Sequence, residues 1–353
     1  MRCAIVGSGL AALASYATLR HGGLQAEEII VFGTHEDPTM IWRVRAEAIR
    51  QERMRSESDG HLAAAAFPGL AVREAARRGS LRPLLQTVTN RYRPTVDEFV
   101  AHADEVRRRS GWEQSFVERR VSSVRAADGG FVVDGEGPFP NVLLATGHPG
   151  LRTLPGTIHA YEPHEYASRV AIVGAGMAAA TEWRNALAAG ADVVSIRRRE
   201  PVRRPLNVPR PLFSKRGLAG FHQLSNERRA GTLREVSQPS YPPGREWDEP
   251  LDTGRFRVAD AAPPGYQVIA ATGFRRGWQH DLLLADLVAA HELETHGRWI
   301  LLAPDSTIPS LTDDRRTLSL AGVAAQWAFP AADTIAGAKY AARAFLYRVC
   351  RTR

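Results

Sequence analysis

Short all-apolar runs, each cut off by glycine and followed by a stretch of helical spacing, set the rhythm of this chain. Cys3-Ala4-Ile5-Val6 breaks at Gly7-Ser8-Gly9, and an alanine- and leucine-rich stretch then continues to about His21. Gly22-Gly23 stops that helix, because glycine readily takes the left-handed backbone a helix end needs. A second apolar run, Ile29-Ile30-Val31-Phe32, follows. Continuous apolar runs bounded by turn residues predict strands buried on both faces, the mark of a parallel sheet. The order returns further on: Val170-Ala171-Ile172-Val173, a turn at Gly174-Ala175-Gly176, a helix over 181–189 stopped by Gly190, and Val193-Val194-Ser195-Ile196. Two strand–helix–strand units are therefore expected. Thr95 with Glu98 forms a capping box, so a helix should begin there. Residues 116–124 and 131–133, joined through Asp128-Gly129-Gly130, predict antiparallel strands. Residues 203–264 are rich in proline and arginine and poorly periodic, which predicts a long surface segment.

Both strand-to-helix turns read G-x-G-x-x-A, and the chemistry of that turn is specific. Gly7 permits the tight bend, Gly9 lets a ligand approach the backbone across Ser8 and Leu10, and Ala12 lets helix and strand lie close. Gly174, Ala175, Gly176 and Met177 repeat the pattern. Unpaired N–H groups and the positive end of the helix dipole then attract a diphosphate. The residue ending the second strand meets the adenosine ribose. In the second unit that strand runs into Arg197-Arg198-Arg199, which suits a 2′-phosphate and so NADPH over NADH. In the first unit Phe32 is followed by Gly33, where an acid is expected. Either Glu36 or Asp37 reaches the ribose from a shifted loop, or that hydrogen bond is missing.

Composition narrows the picture by exclusion. The 353 residues are 44% hydrophobic and 24% charged, ordinary for globular domains. No run approaches the roughly 18 apolar residues of a membrane helix. The first residues superficially resemble a secretory signal, but Gly7-Ser8-Gly9 interrupts the apolar stretch; the expected location is the cytoplasm. Cys3 and Cys350 stand at opposite ends with no C-x-x-C pair, so redox chemistry must come from a bound cofactor. The net charge of +8 is dispersed, with clusters at Arg107–Arg109, Arg197–Arg199 and Arg203–Arg204, and no nucleic-acid-binding module is recognisable. His148, His159 and His164, with Glu162 and Glu165 nearby, match no standard metal spacing, and no metal is expected.

With these motifs in hand, the chain resembles the two-dinucleotide-binding flavoproteins, and among them the flavin-containing and N-hydroxylating monooxygenases. Val142-Leu143-Leu144-Ala145-Thr146-Gly147-His148-Pro149 is similar to the strand and ATG turn that closes an FAD domain, and Val268-Ile269-Ala270-Ala271-Thr272-Gly273-Phe274 to its NADPH-domain counterpart. Arg93-Pro94-Thr95-Val96-Asp97-Glu98-Phe99 resembles the family's RPTxxEF helix start, and a small β-meander is expected after it. Met54-Arg55-Ser56-Glu57-Ser58-Asp59 resembles the loop lying against the flavin, and Trp42 stands where relatives carry a flavin-side Trp, or serves as core. Leu318-Ser319-Leu320-Ala321-Gly322, then Gln326 and Phe329-Pro330 and a helix over 331–349, resembles the C-terminal FAD segment. Val323 replaces the aspartate of thioredoxin-reductase-like enzymes, which favours the monooxygenase side.

The resemblance implies an α/β protein of two Rossmann-like domains: an FAD domain over 1–160 and 278–353, and an NADPH domain inserted at 161–277. It implies cofactor contacts from Gly7, Ser8, Gly9, Leu10, Ala12, Phe32, Gly33, Trp42, Arg55, Val121, Ala145, Thr146, Gly147, Gly322 and Gln326 for FAD. For NADPH it implies Gly174, Ala175, Gly176, Met177, Arg197, Arg198, Arg199, Thr272 and Gly273. NADPH would reduce the flavin, which would then add oxygen as a C4a-hydroperoxide and transfer one atom to an amine, sulfide or ketone. The cofactor carries that chemistry, so no catalytic side chain is named. The expected partners are a small substrate and O2, with a homodimer as a further expectation. The alternative is a reductase or dehydrogenase that passes electrons to a disulfide, imine or protein without inserting oxygen. A third reading is a non-enzymatic nucleotide-binding protein that has lost tight FAD.

Overall fold

The computed structural model describes residues 2–55, 70–88, 92–204, 212 and 214–352. Its frame is two five-stranded parallel sheets. The first takes β1 (Cys3–Val6), β2 (Ile29–Gly33), β3 (Phe116–Glu118) and β7 (Asn141–Leu144) from the first part of the chain and β15 (Thr317–Leu320) from near its end, in the order β15-β7-β1-β2-β3. The second is built wholly from the intervening chain: β8 (Ile158–His159), β9 (Arg169–Val173), β10 (Asp192–Ile196), β13 (Phe256–Ala259) and β14 (Gln267–Ala270), ordered β13-β10-β9-β14-β8. Cys3, Ala4, Ile5 and Val6 are all buried, as apolar runs must be when helices cover both faces of a parallel sheet. The helix Leu10–His21 follows β1, and its long contact with the C-terminal helix Ile335–Val349 closes the first unit. The helix Met177–Ala188 plays the same part after β9.

Three short strands, β4 (Val124–Ala127), β5 (Gly130–Val133) and β6 (Glu136–Phe139), form the antiparallel meander. The run 116–124 is therefore not one strand. Phe116–Glu118 pairs in parallel with β2 as the edge of the first sheet, and only Val124 enters the meander. Ordinary alternation cannot tell these apart, since an edge strand this short carries almost no periodicity.

Residues 203–264 also depart from expectation. They hold the helices Lys215–His222 and Asn226–Val236, β12 (Ser240–Tyr241) paired with β11 (Val202–Arg203), and β13. Phe221, Leu233, Tyr241 and Trp247 are buried. Arginine supplies the tether that periodicity does not reveal: Arg204 donates to the carbonyls of Glu235 (2.9 Å), Val236 (2.7 Å) and Gln238 (3.2 Å).

The helix Val96–Ser110 starts where the capping box places it. Thr95 Oγ1 accepts from Glu98 N (3.2 Å), and Thr95 N donates to the Glu98 carboxylate (3.0 Å). Thr95→Ala is expected to cost about 1 kcal/mol, read as a lower urea midpoint with an unchanged slope. Among the described residues no helix is long and apolar enough to cross a membrane.

Candidate functional site

At the first corner the backbone turns at Gly7 with φ +112, and a Cβ there would sit 2.2 Å from the Ala145 carbonyl oxygen. Only glycine lets β1 and β7 end this close together. Gly9 is different. Its φ of −85 suits any residue, and it caps the helix Leu10–His21 with no side-chain hydrogen bond. A Cβ at Gly9 would meet nothing within 4 Å. The first N–H groups of the helix thus face an open space of the kind an anion fills. Ala12 is fully buried, which lets helix and strand lie close, and Leu10 is half-buried. Beside the corner, Thr146 Oγ1 is buried with no hydrogen-bond partner among the described residues, and His148 Nδ1 two residues on is likewise buried without one. Buried polar atoms of this sort normally have partners. An open cradle with orphaned donors and acceptors at its rim fits a bound dinucleotide.

The end of β2 answers the question left open at Gly33. A Cβ at Gly33 would lie 2.3 Å from both Cβ and Oγ of Ser8, so Ser8 occupies the place an acidic side chain would start from. Both nearby acids already have partners in the protein. Asp37 accepts from Thr39 N (2.8 Å) and Thr39 Oγ1 (2.7 Å) and pairs with Arg43 (3.5 Å). Glu36 pairs with Arg107 (3.7 Å). Phe32 is buried edge-on to Phe139.

The other residues assigned to this unit fall in two groups. Gly147 and Gln326 line one cavity together with Arg276, Arg298, Trp278 and Trp299. Asp333 lies close by. The surrounding protein raises its carboxyl pKa, against the lowering influence of Gln326, Arg276 and Arg298. Gly322 rests against Ala11, with 3.5 Å to a built Cβ, and starts the short helix Gly322–Trp327. Trp42 packs edge-on to Phe99 at 5.0 Å, Val121 is buried between β3 and β4, and Ala145 is buried. Arg55 reaches the other unit, donating to Thr181 Oγ1 (2.8 Å), and burial lowers its pKa. Residues 56–59 of the proposed flavin-side loop lie outside the described residues.

The second corner repeats the first with one change. Gly174 has φ +145 and a built Cβ 2.5 Å from the Ala271 carbonyl, the same strand-end approach. Ala175 and Met177 are half-buried at the turn. At Gly176, however, the open side is flanked: Pro239 Cα lies 3.7 Å and Ser240 N 4.0 Å from the built Cβ. A diphosphate at this helix terminus must sit beside the 239–240 segment rather than in open space. Past β10 the three arginines separate. Arg197 is largely buried, stacks over Trp183 (5.8 Å) and pairs with Glu200 (2.9 Å). Arg198 and Arg199 are exposed, and among the described residues no hydrogen bond or ion pair holds either. Thr272 Oγ1 donates to the Arg152 carbonyl, and the Gly273 carbonyl accepts from Arg152 N (2.9 Å), tying the second ATG turn to the crossover segment that follows the first. A cleft of about 730 Å³ runs from Met54 and Arg55 to Met177, Thr181 and Trp247.

Where the chain crosses between the sheets, the histidines go to three different partners. His148 stacks on Phe274 (4.4 Å between centroids), which stacks on Tyr161 (5.1 Å) under the Arg45 guanidinium (4.8 Å). Burial, then Arg276 and Arg45, lower the His148 pKa to about 4. His159 Nε2 lies 3.1 Å from the Gly273 carbonyl. His164 Nε2 pairs with buried Glu182 (2.9 Å), which also accepts from Tyr166 Oη (3.0 Å). Among the described residues no group of three such ligands could hold a metal. Nothing in the sequence signals Glu182, which reads as an ordinary helical glutamate.

Burial alone would lower the His164 pKa, but the Glu182 carboxylate and the Glu162 carbonyl outweigh it, and the net shift is upward. A raised folded-state pKa stabilises fully below the ordinary imidazole value and is lost as pH climbs through the folded value. Urea midpoints should therefore fall as pH rises from 6 to 8. Glu182→Gln should flatten that slope and cost about 3 kcal/mol at low pH by leaving a buried imidazolium without its counter-charge.

No family model matches the sequence, and no curated protein matches it. Solved structures do match over nearly the whole chain. The ornithine hydroxylase PvdA from Pseudomonas aeruginosa superposes with a TM-score of 0.69 at 16% identity, covering 98% of this chain and 99% of that one. The cadaverine monooxygenase DfoA of desferrioxamine biosynthesis, from Erwinia amylovora, gives 0.72 at 13% identity over 98% and 94%. The fold is that of the two-dinucleotide-binding-domain flavoproteins. The bacillithiol disulfide reductase Bdr from Bacillus cereus shares it, at 0.59 and 14% identity over 99% and 98%.

Proposed function

We propose that this chain is an FAD-dependent, NADPH-reduced monooxygenase acting on a small nucleophile, an amine, sulfide or ketone. The observation that carries the reading is the open corner at Gly9, beside a Thr146 Oγ1 that has no partner among the described residues, together with a second glycine corner at Gly174 to Met177 flanked by Pro239 and Ser240. In this reading the backbone of 7–10, with Thr146, Gly147, Gly322 and Gln326, holds FAD, within a domain spanning 1–160 and 278–353. The inserted stretch 161–277 holds NADPH, its diphosphate at the terminus of the helix Met177–Ala188 and its 2′-phosphate on Arg198 and Arg199. Bound flavin supplies hydride acceptance and oxygen activation.

The protein's own residues position and shield. His148 is held neutral, so its stack with Phe274 and Tyr161 gives the crossover an aromatic wall without added positive charge. Arg55 bridges the two units beside the cleft, where a small substrate fits between Met54 and Met177. The similarity to ornithine hydroxylase and cadaverine monooxygenase supports amines as the first substrates to try.

The likeness to Bdr keeps a reductase as the second reading. Labelled oxygen separates the two. With NADPH, 18O2 and a panel of primary amines, sulfides and ketones, a monooxygenase yields product carrying one 18O atom. Anaerobic NADPH turnover with a disulfide acceptor, and no labelled product from any panel member, sinks the proposal.

A further inference from the structure

Two histidine nitrogens can be told apart at the end of β2. His35 Nδ1 lies 2.8 Å from the backbone carbonyl of Asp37 and 3.4 Å from Ser8 Oγ. A carbonyl oxygen has no proton to give, so Nδ1 carries the hydrogen and donates it. In this tautomer Nε2 is the acceptor, and among the described residues no hydrogen bond engages that atom. Ser8, in turn, stands 2.3 Å from a built Gly33 Cβ, so the ring lies one side chain away from the position of the missing acid.

A ribose hydroxyl at that position needs an acceptor, which a carboxylate ordinarily supplies. Glu36 and Asp37 already pair with Arg107, Thr39 and Arg43, whereas Nε2 of His35 has no partner among the described residues. Resting on the FAD assignment above, we propose that His35, oriented by Asp37 and Ser8, is the ribose-binding residue of the first corner and accepts a ribose hydroxyl at Nε2. Gly33 is then the consequence of Ser8: with Ser8 in place no side chain fits at position 33, and recognition passes two residues onward.

The test is ligand affinity rather than turnover. FAD is titrated into purified protein by flavin fluorescence, and ADP and its 2′,3′-dideoxy analogue are compared as competitors. Wild type should favour ADP over the dideoxy analogue by about tenfold, the worth of a good hydrogen bond. His35→Ala should bind FAD about tenfold more weakly and bring the competitor ratio close to one. His35→Gln, whose amide oxygen can accept in place of Nε2, should keep most of the preference. An unchanged ADP preference in His35→Ala overturns the proposal, as does weaker binding of ADP and the analogue alike. Wild-type protein that binds no FAD at all fells the cofactor assignment itself, a different result from a variant that binds FAD with its ribose preference intact.

Discussion

Protein carrying Gly9→Val should purify folded and colourless. The backbone at Gly9, φ −85 and ψ −171, is extended and open to valine. No atom lies within 4 Å of where its Cβ would stand, so the fold has nothing to lose. The added side chain instead fills the space through which a diphosphate reaches the N–H groups of the helix Leu10–His21. Losing two charge-assisted hydrogen bonds is worth about 3–6 kcal/mol, so FAD affinity should fall at least about a hundredfold. Gly7→Ala makes the contrast. With φ +112 and a Cβ 2.2 Å from the Ala145 carbonyl, it damages the sheet itself and should lower the urea midpoint sharply. A Gly9→Val protein that retains FAD within about tenfold of wild type would remove the diphosphate from this corner.

Arg198→Ala with Arg199→Ala should erase the preference for NADPH over NADH. Both side chains are exposed at the end of β10 and without a partner among the described residues, as donors to a 2′-phosphate must be. Each charge-assisted contact is worth about 1.5–3 kcal/mol, so the ratio of kcat/KM for the two nucleotides should drop about a hundredfold or more. NADH kinetics should barely change, because NADH lacks the phosphate. Arg197→Ala is expected to act differently: it removes the stack over Trp183 and the pair with Glu200, costing stability rather than selectivity. A double variant that keeps its NADPH preference removes these arginines from the site.

How far the sequence could be read depends on how local each feature is. Both corners were legible because a strand, a G-x-G turn and a helix are written in adjacent residues, and the cap at Thr95 needs only Glu98. The flank on Gly176 was not, because Pro239 and Ser240 are brought there by Arg203 and Arg204 side chains bonding distant carbonyls, and no periodicity encodes that. The empty acid position was visible as Gly33, yet its cause, the Ser8 side chain lying on it, appears only when β1 and β2 are side by side. The bond from Arg55 to Thr181 was not legible either, because it joins residues far apart in the chain. Likewise Glu182 gains its partners only after β8 and the crossover bring His164 and Tyr166 against the helix Met177–Ala188.

Hydride transfer between the two corners is the most direct thing to watch. Protein loaded with FAD is mixed anaerobically with NADPH, and the flavin absorbance near 450 nm (a property of free and bound flavin alike) is followed. Bleaching within seconds, much slower with NADH and abolished in Gly9→Val, is what two working dinucleotide sites require. A protein that holds no flavin, or whose bound flavin stays yellow under saturating NADPH, would mean that the paired corners do not serve this chemistry.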